Sequence, residues 1–488
     1  MDKKSERILS EENRLIEFKD QSSIIDQIRP FLEPASIAVV GAHANTGEQA
    51  FNVIEHLMWL GYTGNVIPVN PEYEEILGRK CYPSISEVPD KVDLALLQGP
   101  RSTIPGVVQQ CVQKGIKSVV IAGAGFADAD DEGRRLQNEI VNIARRGGIR
   151  VLGPNTIGSA NPFFNFSTSF ARQTEMKKWP VGVVCQSGMF FGTIGRLNLL
   201  GKGVDLGNSC DVDISDVMEY FVLDPDVKVV VLHIEGVIDC NRLKQIAGKA
   251  CRKKPVIVLK TGRTAESGKA AKTHTGSLVG RDEVWDAFFR QYGMTRAETF
   301  DDLSDLVNAF CYLPLMSGRR VGIVTASGGI GIACLDACKK YNLEVAELGV
   351  HTKRKLNAMS PSWFEIANPL DIWPMMLTTK QPYGETFRDI VGEVLGDPGV
   401  DGIVLFAGAW FDRINPPITR TLVDLAKTYP GKPIAWCPYY GWLYDNQSYE
   451  IEQTLMSMGM PVVFSNPEDS LRALAALARY QEFLNDSQ

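Results

Sequence analysis

No run of about 18 apolar residues occurs in the chain, so no membrane-spanning helix and no membrane partner are expected. There is no CxxC pair. The ten cysteines are scattered over the 488 residues, which argues against a disulfide framework or a thiolate metal site. A reducing, cytoplasmic setting is the expectation, with no metal held by this chain. No GxGxxG follows a strand, which disfavours a dinucleotide dehydrogenase, and no Gly-x4-Gly-Lys-Ser/Thr provides a P-loop. Basic excess is missing too: the net charge is -7, so nucleic acid is not an expected partner. The first 29 residues are charged and mixed, without the apolar core of a signal peptide. Histidine is scarce, with five in all.

What is present is alternation. From Ser36 onward, short apolar runs bounded by Gly, Pro and Asn alternate with stretches of helical period. This pattern implies parallel sheets covered by crossover helices. The runs group into three α/β units, over 31–172, 180–313 and 318–488, after a helical extension over 1–30. Units two and three look like a distant internal pair. Each opens strand–Ser–Gly–helix, as Gln186-Ser187-Gly188 and Ala326-Ser327-Gly328.

In open α/β sheets ligands lie beyond the carboxyl ends of the strands. In unit one those ends are the turn Gly41-Ala42-His43-Ala44-Asn45-Thr46-Gly47, then Val69-Asn70-Pro71, then Gln98-Gly99-Pro100, and Gly153-Pro154-Asn155. The first turn is read as leading into a helix from about Glu48, whose N-terminal N–H groups would face a phosphate. His43 is open to two readings, a phosphate contact or a plain turn residue. In unit two, Ser187 and Gly188 sit at a strand-to-helix turn suited to an anion, and Glu235 ends an apolar strand. His274 follows the next strand in a loop of small and basic residues that includes Lys260, Arg263, Lys269 and Lys272. An imidazole so placed can serve as a neutral nucleophile, with the carboxylate behind it fixing its tautomer; the plainer reading makes Ser187 a helix cap, Glu235 a surface acid and His274 a loop residue. Those basic residues either steer the loop to phosphate or keep it solvated. Four phenylalanines, Phe163, Phe164, Phe166 and Phe170, are read as domain core with an acyl pocket as the minority alternative.

These motifs, in order over about 34–480, resemble the α-subunit part of the NDP-forming acyl-CoA synthetases, relatives of succinyl-CoA synthetase. The resemblance rests on Val69-Asn70-Pro71, Leu152-Gly153-Pro154-Asn155, Gln186-Ser187-Gly188, Gly207-Asn208 with Asp211-Val212-Asp213, Glu235-Gly236, Thr273-His274-Thr275-Gly276-Ser277 and Asn368-Pro369-Leu370-Asp371. It implies a Rossmann-like CoA-binding domain followed by two flavodoxin-like ligase domains. It further implies that His274 is transiently phosphorylated, that Glu235 supports it, and that Gln186, Ser187 and Gly188 hold the phosphoryl group. Gly41, His43, Asn45, Thr46, Gly47, Val69, Asn70, Pro71, Gly99 and Pro100 would cradle CoA, with Asn155 near its thiol. ATP or ADP with Mg2+ would sit on an ATP-grasp β subunit, a separate chain, in an α2β2 assembly. The chain would then interconvert acyl-CoA, ADP and phosphate with a carboxylic acid, CoA and ATP. One residue departs from the family: Glu48 stands where a lysine is usual, and a carboxylate there weakens attraction for a CoA phosphate. That leaves open a catalytically reduced, CoA-binding regulatory protein.

Overall fold

The computed structural model describes residues 21–47, 49–169, 176–191, 201–264, 266–267, 280–408, 418–439, 454–455 and 464–486. His274 and its loop from 268 to 279, as well as Glu48 and Phe170, lie outside the described residues. The chain divides into two compact units, Met1–Glu298 and Thr299–Gln488.

Among the described residues, the first unit holds two large sheets and a short antiparallel pair, Glu75–Ile76 with Arg79–Lys80. Strands β1 (Ser36–Val40), β2 (Asn65–Val69), β3 (Leu94–Leu97), β4 (Ser118–Ile121) and β5 (Arg150–Leu152) form a parallel sheet in the order β2-β1-β3-β4-β5. Ile37, Leu96 and Val120 are among its fully buried strand residues, as a sheet covered on both faces requires. The chain reverses its direction of travel across the sheet at β1, the switch point where ligands bind.

The second sheet contains β6 (Ser159–Asn161), β7 (Phe166–Ser167), β8 (Val181–Cys185), β9 (Lys202–Asp205), β10 (Val229–Ile234), β11 (Val256–Lys260) and β12 (Thr295–Ala297), in the order β12-β11-β10-β8-β9-β6-β7. Its last two strands are an antiparallel hairpin, which alternation alone did not suggest. Of the described phenylalanines here, Phe166 is core, Phe163 is half-buried and Phe164 is exposed. Phe166 is fully buried with its ring 5.3 Å from Tyr62, Phe164 lies 6.1 Å from the same ring, and Phe163 lies under the Lys202 ammonium at 5.5 Å.

Helix α1 (Gln21–Leu32) buries Ile24, Ile28, Phe31 and Leu32. It ties the two large sheets: Arg150 of β5 donates to Gln27 Oε1, while Ser159 Oγ of β6 donates to the Phe31 carbonyl and Lys202 of β9 pairs with Glu33, just past the helix, at 3.2 Å. The motif Asp211-Val212-Asp213 is part of the same frame. Asp211 accepts from Arg150 Nε at 3.0 Å, and Asp213 caps the helix Ile214–Leu223 through a capping box.

The second unit holds β13 (Arg320–Thr325), β14 (Glu344–Val345), β15 (Leu370–Asp371), β16 (Gly402–Gly408) and β17 (Ile434–Tyr439). These form a parallel sheet, β14-β13-β16-β17, with β15 also pairing β13. Asn368 locks that arrangement: its side chain accepts from Ile323 N and donates to the Val321 and Ala346 carbonyls, all at 2.9 Å.

Candidate active site

The loops expected to cradle CoA do converge. Gly41 N donates to the Val69 carbonyl at 2.8 Å, Gln98 N to the Val40 carbonyl at 2.8 Å, and Asn70 Nδ2 to the Ala42 carbonyl at 2.7 Å. A Cβ on Gly41 would fall 1.7 Å from the Gln98 carbonyl oxygen, and its φ is +84°. Only glycine lets these loops meet. Gly99 and Pro71 are exposed at the same edge, and Thr103 Oγ1 closes the neighbouring turn on the Pro100 carbonyl at 2.8 Å.

The first turn differs from its expected form. Its helix begins at Val53, not Glu48, because Asn52 caps it: Asn52 Oδ1 accepts from Ile54 N at 2.9 Å while Nδ2 donates to the His43 and Asn45 carbonyls at 2.8 Å. Gly47 N–H is already taken by the Glu55 carboxylate, at 3.0 Å. The turn therefore carries an internal anion. His43 Nδ1 is buried and without a hydrogen-bond partner among the described residues. It is a polar atom that a ligand in this turn would satisfy.

Asn155 sits in a left-handed conformation, φ +59°, which asparagine tolerates. Its N–H donates to the Gly123 carbonyl at 2.9 Å. A cleft of about 380 Å³ opens beside it, lined by Asn155, Gln186, Ser187, Gly188, Asp205 and Asn208 among others. Four residues singled out from the sequence thus share one space. Gln186 brings in a fifth by its backbone. Its Oε1 accepts from Glu235 N at 2.7 Å and Gly236 N at 3.2 Å, fixing the turn after β10. The Glu235 side chain is buried, at 9% exposure.

One group here was not anticipated, Asp205, and two named from the sequence, Asn208 and Lys260, have surroundings that the sequence did not show. Asp205 is a fully buried carboxyl in the cleft wall, pushed up to about 6 by burial, with backbone and side-chain donors and Glu235 modifying the effect. Its only signal in the sequence is an acid closing the run Gly203-Val204-Asp205-Leu206. Asn208 donates to Asp128 at 2.7 Å, and its Oδ1 is buried without a hydrogen-bond partner among the described residues. Lys260 ends β11 at the root of the His274 loop. The sequence leaves it either steering the loop to phosphate or keeping it solvated; it is buried, at 3% exposure. Its Nζ donates to the Glu235 carbonyl at 2.9 Å, and burial pulls it down to about 8 against the opposing pull of Asp282. The strand reading missed this because a lysine closing an apolar run shows no sign of what lies above it. Beside it, His233 Nε2 lies 3.0 Å from Thr261 Oγ1, and burial followed by the Lys260 charge holds the imidazole down near 4. Arg263 does face solvent, paired with Asp282 and Glu298. Cys210 is no reactive thiol: it packs on the first core, and burial raises it far above the usual range.

A family model described as "CoA binding domain" matches residues 35–162, and one described as "Succinyl-CoA ligase like flavodoxin domain" matches 178–310. An acetate–CoA ligase (ADP-forming) II subunit alpha of Pyrococcus furiosus is 33% identical over 461 residues, covering 92% of this chain and 97% of that one. The chain belongs to the NDP-forming acyl-CoA synthetase family. An acetate–CoA ligase (ADP-forming) II of Archaeoglobus fulgidus is 34% identical over 466 residues, covering 93% of this chain and 67% of that one. Against the longer members of the family, the chain spans about half to two thirds of their length. A solved structure of Ca. Korarchaeum cryptofilum dinucleotide-forming acetyl-coenzyme A synthetase 1, in complex with phosphate and ADP, superposes with a TM-score of 0.83. It is 26% identical, covering 95% of this chain and 99% of that one. No described helix is long and apolar enough to cross a membrane.

Proposed function

We propose that this chain is the CoA- and phosphate-handling subunit of an ADP-forming acyl-CoA synthetase. The observation that carries the reading is the cleft that joins Asn155 to Ser187 and Gly188, with Gln186 pinning the Glu235 turn at its edge. CoA lies along the Gly41–Gly47, Val69–Pro71 and Gly99–Pro100 edge with its thiol toward Asn155. A phosphate oxygen attacks the thioester carbonyl; the C–S bond breaks and CoA leaves as the thiol, giving an acyl phosphate. The imidazole of His274 then takes the phosphoryl group, so that a P–N bond forms as the P–O bond breaks and the carboxylic acid departs. Glu235 stabilises the developing imidazolium, and Gln186, Ser187 and Gly188 stabilise the phosphoryl oxygens. The His274 loop carries phosphate to ADP, held with Mg2+ on an ATP-grasp β subunit, in an α2β2 cytoplasmic assembly.

The test mixes the chain with its β partner and labelled ATP. An acid-labile label is expected on the wild type and absent from His274→Asn; a label that persists in the variant overturns the assignment.

One observation favours the second reading, a CoA-binding regulatory protein. The Glu55 carboxylate occupies the Gly47 N–H that a phosphate would use. Calorimetry with CoA and acyl-CoA, with and without the partner, separates the two: binding without turnover is the regulatory outcome.

A further inference from the structure

The carboxyl of Asp205 is placed where an anion is expected. A Cβ on Gly188 would fall 3.5 Å from Asp205 Oδ2, so the acid stands directly behind the turn that includes Ser187. It is 2% exposed and shares the cleft with Asn155, Ser187 and Asn208. Oδ2 accepts from Ile157 N at 2.9 Å, and Oδ1 from Gly207 N at 3.3 Å. The acid thus also holds the 153–158 turn against the 205–208 loop.

Thr156 bears on the protonation of the acid. Thr156 Oγ1 accepts from Gly158 N at 2.8 Å and donates toward two oxygens of residue 205, the backbone carbonyl and, at 3.1 Å, Oδ2. One hydroxyl hydrogen shared between two acceptors gives an ionised carboxyl less than a full hydrogen bond. A protonated Oδ2 can itself donate to Oγ1 and leave the hydroxyl hydrogen to the carbonyl.

Among the described residues, the ionisable surroundings supply no compensating cation; Arg196 and the loop with Lys269, Lys272 and His274 lie outside them. Residues 153–158, 186–191 and 206–208 and the neighbouring strand β6 contain no ionisable side chain. The adjacent strand β8 brings the Cys185 thiol, and the turn after β10 brings Glu235, whose charge also disfavours ionisation.

We infer that Asp205 is a proton-linked specificity residue of the phosphoryl cleft: protonated, it admits the anion and keeps the 153–158 turn in place; ionised, it repels the anion. This deepens the proposed function and rests on the cleft's being the phosphate site. Burial already brings the group to about 6, within reach of physiological change.

The test measures inorganic phosphate binding to the full chain by calorimetry, for wild type, Asp205→Asn and Asp205→Ser, with thermal melts to confirm folding. The ratio of wild-type to Asp205→Asn dissociation constants cancels phosphate's own titration. It is expected to rise about tenfold or more between about pH 5.5 and about pH 7.5. Repeating the titration in two buffers of different ionisation enthalpy is expected to show extra proton uptake in the wild type alone. A flat ratio with phosphate bound by both proteins overturns the inference and leaves the phosphate site standing. Failure of the wild type to bind phosphate at either pH overturns both. If neither variant folds, the wild-type uptake still decides: uptake beyond that of phosphate itself supports the inference, and none overturns it.

Discussion

The two Ser–Gly turns look alike in sequence and carry an acid in the same place. A Cβ on Gly188 would lie 3.5 Å from Asp205 Oδ2, and one on Gly328 would lie 3.4 Å from Asp371 Oδ2. They differ in what surrounds the acid. Asp205 is fully buried and takes donors from two loops. Asp371 is half-buried, and its Oδ1 caps the next helix by accepting from Trp373 N at 3.0 Å. The residue before each serine differs too. Gln186 reaches across to bond the end of the next strand, whereas Ala326 has nothing to reach with, and Thr325 Oγ1 instead closes locally with Ser327 N at 3.0 Å. The first turn is tied to the neighbouring strand; the second serves as a helix start. A shared motif places an acid, but burial and cross-strand bonds decide whether it can act as a switch.

The frame around the first turn gives the largest expected difference. Lys202 is 1% exposed and holds Asp224 at 2.7 Å, Asp226 at 2.8 Å and Glu33. Burial alone would lower its ammonium; the three carboxylates outweigh that and leave it raised. Lys202→Ala strands a buried Asp224 and is expected to cost about 3–5 kcal/mol. In the second unit, Arg320 pairs with Asp401; the arginine side chain is 45% exposed and the carboxylate 7%, but that carboxylate keeps the Arg320 backbone N–H at 2.9 Å when the side chain is removed, so Arg320→Ala is expected to cost less, about 1–3 kcal/mol. Urea midpoints read both; equal losses would break the contrast.

Gly207→Ala comes next. Its φ is +52°, and a Cβ would lie 2.3 Å from the Pro154 carbonyl oxygen. Strain plus backbone clash predicts a loss of about 2–4 kcal/mol, together with loss of phosphate binding. Gly329, in the first turn of the helix after Ser327, meets nothing within 4 Å, so Gly329→Ala is expected to stabilise by about 0.5 kcal/mol. Thermal melts distinguish them.

The pH dependence of stability sharpens the comparison. The Asp205 carboxyl is held near 6 in the folded chain, against about 3.9 unfolded. Between those values the native state keeps a proton that the unfolded chain releases. Stability from this site therefore falls as pH rises from about 4 to about 6, by about 2–3 kcal/mol, and Asp205→Asn should remove that slope. Gln186→Leu leaves the buried Glu235 and Gly236 N–H groups without their acceptor, a loss of about 1–3 kcal/mol, whereas Ala326→Gln in the second turn should stay within about 0.5 kcal/mol. The smallest effect is Glu55→Gln. Easing the internal anion at Gly47 should tighten CoA binding about twofold to fivefold, as read by calorimetry.

Much of the site was legible because its parts are local. Strand ends carrying Gly, Pro and Asn must lie at one edge of a parallel sheet, so Gly41, Asn70, Gly99 and Asn155 could be grouped from the sequence. Ser187, Gly188 and Glu235 followed from the same rule. Less legible were groups whose role depends on a partner far along the chain. Asp205 depends on Thr156 and Ile157, Lys260 on the Glu235 carbonyl, and Glu55 on Gly47. The hairpin β6–β7 was hidden for a related reason: two- and three-residue strands have no period to read.

Hydrophobic periodicity and turn chemistry, which act over a few residues, therefore determined the parallel α/β architecture and the sheet edge on which the candidate site lies, while the family was read from the resemblance of motifs such as Gln186-Ser187-Gly188. They also placed a histidine in the loop after β11. Tertiary structure alone decided which polar groups lose water. Burial turns the acid at 205 into a proton switch and the lysine at 260 into a backbone anchor, and the desolvation that shifts them comes from segments tens of residues away.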